Sequence, residues 1–121
     1  MKVIVGDDEL RVLSIVKSLL DYHGSIVISA DKGQEALEII ERHKADLDLV
    51  ILDIQMPDMT GDKVYIRLKE IKPGLNVLIS SGLEEYTALK NILLDPKDRF
   101  MKKPFRMSDL MVKIKELKVN N

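Results

Sequence analysis

Leu49-Val50-Ile51-Leu52-Asp53, running on into Ile54-Gln55-Met56-Pro57-Asp58-Met59-Thr60-Gly61, is the stretch that decides the fold. An apolar run without polar alternation suits a strand covered on both faces, as in a parallel sheet between layers of helices. The acid that ends it then stands at the carboxyl rim of the sheet, where open α/β folds gather their ligands. A second short apolar run, Val3-Ile4-Val5, leads through Gly6 into Asp7-Asp8-Glu9. Carboxylates converging on one rim repel each other unless a cation lies among them. The two runs together therefore predict a magnesium site built around a reactive aspartate.

Outward from this centre, short apolar runs alternate with longer amphipathic segments. Strands are predicted over Val3–Val5, Ile26–Ser29, Leu47–Asp53, Val77–Ser80 and Arg99–Met101. Helices are predicted over Glu9–His23, Gln34–His43, Asp62–Ile71, Leu83–Leu94 and Ser108–Val119. Gly24 and Pro73-Gly74 serve as stops, and Ser108 is expected to be an N-cap. Strict alternation of strand and helix argues for a doubly wound (βα)5 domain, flavodoxin-like in order 2-1-3-4-5, with helices on both faces. Strands one and three are then neighbours, and a crevice opens between their carboxyl ends.

At 121 residues the chain is expected to form one domain, residues 1–121. A globule this long buries roughly two-thirds of its unfolded surface and needs no staple. There is no cysteine, which excludes disulfides, thiolate catalysis and zinc-thiolate sites, and fits a cytoplasmic location. Lys and Arg number 19 against 20 acids, a net charge of −1, so no direct nucleic-acid surface is expected. Lys113, Lys115 and Lys118 read as one solvated helical face. No apolar stretch approaches about 18 residues, so no membrane contact is expected. The opening Met1-Lys2-Val3-Ile4-Val5 is too soon interrupted by acids to be a signal peptide.

Each candidate site residue also has an ordinary explanation. Asp8 could merely cap the first helix with Asp7 solvated, a reading as good as a ligand role until Asp53 is added at the matching rim. Mg²⁺ suits this donor set, since it takes about one or two carboxylates plus phosphate oxygens and waters. Lys103, just before Pro104 and after the fifth strand, points at the same crevice and could neutralise a phosphoryl oxygen. Alone, beside Lys102, it would be a surface lysine. Ser80 and Ser81 could donate a hydroxyl to an anion at the rim, though two serines before Gly82 more often form a turn. His23 and His43 lack metal-ligand spacing and read as surface residues. No Ser-His-Asp set, phosphate-binding loop or dinucleotide glycine pattern is present.

In this order and spacing, Gly6-Asp7-Asp8-Glu9, Asp53-Ile54-Gln55-Met56-Pro57-Asp58-Met59-Thr60-Gly61, Ser81-Gly82 and Lys103-Pro104-Phe105 resemble the receiver domain of two-component response regulators, the CheY-like family. The segment Ala30–Leu37 looks like that family's turn into its second helix, and the likeness runs from about Lys2 to Leu117. The resemblance implies that Asp53 is the phosphoacceptor, taking a phosphoryl group from a histidine kinase or phosphotransfer protein. It implies that Asp8 and Asp53 bind Mg²⁺ directly, with the backbone carbonyl of Gln55, and that Asp7 acts through water. Lys103 would pair with the phosphoryl group. Ser81, rather than Ser80, matches the switch hydroxyl, and Phe100 the aromatic coupled to it. The output would be protein binding through a face made by the fourth helix, fifth strand and fifth helix.

Several positions depart from the family pattern. Gly6 replaces a bulkier apolar residue, so a looser end of the first strand is expected. Leu94–Arg99 replaces a small, glycine-containing turn, and Phe100 lacks a tyrosine's hydroxyl. Gln55 and Leu83 stand where the family tunes hydrolysis, and moderate to slow self-dephosphorylation is expected.

The chain is expected to catalyse its own phosphorylation and dephosphorylation without being an enzyme otherwise. An aspartyl-phosphate phosphatase would usually carry an acid where Gln55 stands. A flavodoxin-like carrier would need hydroxyls and glycines in place of Asp7-Asp8-Glu9. A degenerate docking module is the fourth reading, although Asp7, Asp8, Asp53, Ser81 and Lys103 are all present. Homodimerisation, the partner kinase, and whether the chain stands alone or belongs to a hybrid kinase stay open at this level.

Overall fold

The computed structural model describes residues 1–82 and 98–119, apart from the side chains of residues 81, 118 and 119. The order of elements is β1 (Lys2–Gly6), α1 (Leu10–Tyr22), β2 (Ile26–Ala30), α2 (Gly33–His43), β3 (Leu49–Asp53), α3 (Gly61–Ile71), β4 (Asn76–Ser81), β5 (Arg99–Lys102) and α4 (Met107–Val119). The strands form one parallel sheet in the order β2-β1-β3-β4-β5. This is the doubly wound architecture expected. The predicted helix at 83–94 lies outside the described residues, as does Leu83.

Successive side chains of a strand point to opposite faces, and this alternation builds two cores. Ile4, Val50, Leu52, Val77 and Ile79 pack against Ala36, Leu37 and Ile40 of α2 and Val64, Tyr65 and Leu68 of α3. Val3, Val5, Leu49, Ile51, Leu78 and Met101 pack against Leu13, Val16 and Leu20 of α1 and Leu110, Ile114 and Leu117 of α4. The uninterrupted burial of β3 is the physical counterpart of its uninterrupted apolar sequence. Among the described residues no helix is long and apolar enough to cross a membrane.

Several boundaries differ from expectation for local reasons. Leu47 is buried but precedes β3, because Asp48 is tied to Lys2 by two contacts, its amide to the Lys2 carbonyl at 2.9 Å and its carboxylate to the Lys2 amide at 2.7 Å. Ser80 and Ser81 belong to β4, so the turn reading of the serine pair is wrong. Ser108 is not the N-cap of α4, which begins one residue earlier. Arg106 takes that place: its carbonyl accepts the Leu110 amide at 3.1 Å and its amide donates to the Asp109 carboxylate at 3.1 Å. Gly6 does not loosen β1, because Leu52 and Met56 fill the space a side chain would occupy, with a Cβ meeting Leu52 Cδ1 at 3.3 Å and Met56 Cε at 3.6 Å.

Gly24, at φ 85°, closes α1 as foreseen. The Ser25 amide reaches the Leu20 carbonyl and the Gly24 amide that of Asp21, both at 3.0 Å, the double bond of a Schellman end.

Candidate functional site

Continuing the alternation places Asp53 on the α1/α4 face of the sheet, at the carboxyl end of β3. Asp7 and Asp8 leave β1, whose register with β3 sets Gly6 opposite Leu52. One carboxylate oxygen from each of Asp7, Asp8 and Asp53 lies within 4.8 Å of the others. Asp7 and Asp53 are buried, at 3% and 4% exposure, whereas Asp8 faces solvent. The sequence therefore brought its three acids together, though they are very differently exposed.

Lys103 joins them from the end of the edge strand β5. Its Nζ lies 3.1 Å from Asp7 Oδ2, 3.3 Å from Asp53 Oδ2 and 3.6 Å from Glu9 Oε1. The Lys103-Pro104 peptide is cis. Asp7 is fully engaged, since its Oδ1 also accepts the Glu9 amide at 2.9 Å. Asp53 is less well served among the described residues: beyond the shared lysine, its Oδ1 receives only a long contact from the Gln55 amide, at 3.3 Å.

Burial pushes the Asp53 carboxyl up to about 7, helped by the nearby Asp7 charge and resisted by Lys103. Burial would lower the Lys103 ammonium, but the Asp53 and Asp7 carboxylates outweigh it and hold its pKa above the ordinary lysine value. Among the described residues, Lys103 is one cation against Asp7, Asp8, Glu9 and Asp53, which leaves the rim short of positive charge. Hard carboxylate oxygens at this spacing, two from buried residues and one from a residue facing solvent, fit Mg²⁺ better than a softer metal.

The loop after β3 is held tightly. The Gly61 amide donates to the Ile54 carbonyl at 2.7 Å, and Gln55 and Thr60 pair as an antiparallel bridge. A Cβ on Gly61 would come within 2.5 Å of Ile54 Cα, so only glycine allows this closure. The Asp58 carboxylate caps α2, accepting the Gly33 amide at 2.7 Å and the Gln34 amide at 3.0 Å. The Gln34 and Gly33 amides in turn hold the Asp58 carboxyl below its ordinary range. Sequence reading missed this contact, because the two partners lie some 25 residues apart.

Ser81 ends β4 opposite Lys102, and its side chain is outside the described set. Ser80 pairs in register with Asp53, and its buried hydroxyl has no hydrogen-bond partner among the described residues. Phe100 is half-buried and packs on the opposite face, against the α2/α3 core. His23 is exposed, and His43 Nδ1 meets Lys2 Nζ at 3.2 Å, far from the rim. Lys115 is exposed as expected, while Lys113 is half-buried beside Glu116, and the side chain of Lys118 is outside the described set.

A family model described as the response regulator receiver domain matches residues 3–115. The chain belongs to that family. Sensor kinase CckA of Brucella abortus is 32% identical over 95% of this chain, which spans 12% of the kinase. The chain covers at most about half the length of the curated relatives it matches first. Among solved structures, a CheY-like receiver domain protein from Methanospirillum hungatei superposes with a TM-score of 0.84 at 29% identity, covering 97% of this chain and 93% of that one. Response regulator TrrA from Thermotoga maritima, solved in complex with Mg²⁺ and BeF, gives 0.80 at 28% identity, covering 96% and 97%. This receiver domain thus carries its acids and lysine at the rim where its fold gathers ligands.

Proposed function

We propose that this receiver domain accepts a phosphoryl group on Asp53 from the phosphohistidine of a kinase or phosphotransfer protein, with Mg²⁺ as cofactor. The observation that carries the reading is the meeting of Asp53, Asp7, Asp8 and Lys103 at one rim. An Asp53 oxygen attacks phosphorus in line, forming an acyl phosphate, while the P–N bond breaks and its electron pair stays on the donor imidazole. Such a transfer needs positioning and charge neutralisation more than covalent help.

Lys103 supplies a fixed positive charge, already within 3.3 Å of the acceptor oxygen. A bound Mg²⁺ supplies further charge neutralisation to the phosphoryl oxygens. Asp8, Asp53 and the Gln55 carbonyl would hold the ion directly. Asp7, engaged by Lys103 and the Glu9 amide, would act through water.

The resident chemistry is the domain's own phosphorylation and dephosphorylation, and its output is binding. Ser81 and Phe100 would turn the new charge into a changed surface around β5, α4 and residues 83–94. A groove of about 390 Å³ beside Lys103, walled by Val12, Ile15, Phe105 and Met107, supports a protein partner at the rim. Cysteine-free composition fits a cytoplasmic setting.

Acetyl phosphate with Mg²⁺, followed by intact mass, tests the proposal. The wild type should gain one phosphoryl unit and Asp53→Asn none; equal gain in both would overturn the assignment.

A further inference from the structure

The loop between β3 and α3 has two ends with different tasks. Its near end carries Gln55, whose carbonyl is the backbone donor assigned to Mg²⁺ above. Its far end is fixed to another element altogether: the Asp58 carboxylate takes both the Gly33 amide (2.7 Å) and the Gln34 amide (3.0 Å), the first two of α2. The N-cap residue of α2, Lys32, makes no side-chain cap bond of its own, so Asp58 supplies the cap from 25 residues away. A negative charge at that end also suits the helix dipole.

The seating is close as well as polar. A Cβ on Gly33 would fall 2.9 Å from Met59 Cβ and 3.0 Å from Val64 Cγ2, so the loop lies directly on the start of α2. Between the two ends, the Gln55–Thr60 bridge and the 2.7 Å bond from Gly61 to the Ile54 carbonyl leave little slack. A pull released at Asp58 therefore reaches Gln55 through a short, cross-braced segment.

We infer that Asp58 is a positioning residue for the metal, holding the Gln55 carbonyl in place by clamping the loop to the amino end of α2. Asp58 itself touches no reacting atom. The inference rests on the Mg²⁺ reading of the rim, and its test separates the two.

Mg²⁺ alone is titrated calorimetrically into wild type, Asp58→Ala, Asp58→Asn and Glu41→Gly, with amide hydrogen exchange followed at Gly33, Gln34 and Gln55. Outer-shell partners of metal ligands typically set affinity by about tenfold or more. Asp58→Ala should weaken Mg²⁺ about tenfold and speed exchange at all three amides. Asp58→Asn keeps an acceptor oxygen and should recover part of the affinity. Glu41→Gly loosens α2 at an exposed site away from the loop and should leave affinity unchanged.

Undiminished Mg²⁺ affinity in Asp58→Ala would overturn the inference and leave the rim assignment standing. Equal weakening in Asp58→Ala and Glu41→Gly would overturn it too, because general helix stability would then be the cause. A wild type that binds no Mg²⁺ would bring down both readings.

Discussion

Asp53 and Asp98 are both buried aspartates paired with a lysine, and they sit at opposite ends of the sheet. Asp98, just before β5, is saturated: Lys69 Nζ and the Tyr65 hydroxyl both reach its Oδ2 at 2.7 Å, and the Val77 amide reaches Oδ1 at 2.9 Å. Lys69 is itself secured by the Leu75 carbonyl at 2.7 Å. Asp53 has a shared lysine at 3.3 Å, one long amide contact and a like charge nearby. The same side chain is saturated with partners at one end of the sheet and left partly open at the other. The negative charge left unbalanced at the rim favours an incoming cation.

The largest effect should come from the saturated end. Asp98→Ala removes the counter-charge of a buried ammonium and the acceptor of a strand amide, at a cost of about 3–5 kcal/mol in urea unfolding. A cost below about 1 kcal/mol would erase the contrast between the two aspartates.

At the rim the sign reverses. The folded-state pKa of Asp53, about 7, lies above the unfolded value of 3.8, so its stabilising contribution is complete below 3.8 and is lost as pH rises through 7. Metal-free wild type should therefore weaken progressively from about pH 4 to just above pH 7. Asp53→Asn should be the more stable protein at pH 8, by roughly 1–3 kcal/mol. Adding Mg²⁺ should narrow that gap, because an ion that binds only the folded state stabilises it by mass action. A flat pH profile in the wild type would mean that Asp53 is better neutralised than its contacts suggest.

Glu9→Gln should have the smallest effect. The Glu9 carboxylate is largely exposed and 3.6 Å from Lys103, so its loss should change stability by no more than about 0.5 kcal/mol, with little dependence on salt. A larger change would make Glu9 a true competitor for the lysine.

What could be read from sequence follows from the range of the interactions. The strands were legible because burial on both faces leaves an unbroken apolar run, as in Leu49–Leu52, and Asp53 was legible as the break in that run. Schellman closure at Gly24 was legible because it is written within a few residues. The Asp58 cap and the Asp98 network were not, since their partners are 21 to 33 residues away and nothing local marks them. Ser108 misled because a serine near a helix start is a strong local signal. Arg106 instead uses its backbone and the Asp109 carboxylate, a pairing that propensity ranks low.

Asp53 and Phe100 sit on opposite sides of the sheet, one toward α1 and α4 and the other toward α2 and α3. Between β3 and β5 runs β4, a single hydrogen-bonded partition. At the end of β4, Ser80 pairs with Asp53 and Ser81 with Lys102, so two successive residues of this partition tie the strand of the rim acid to the edge strand that leads into Lys103.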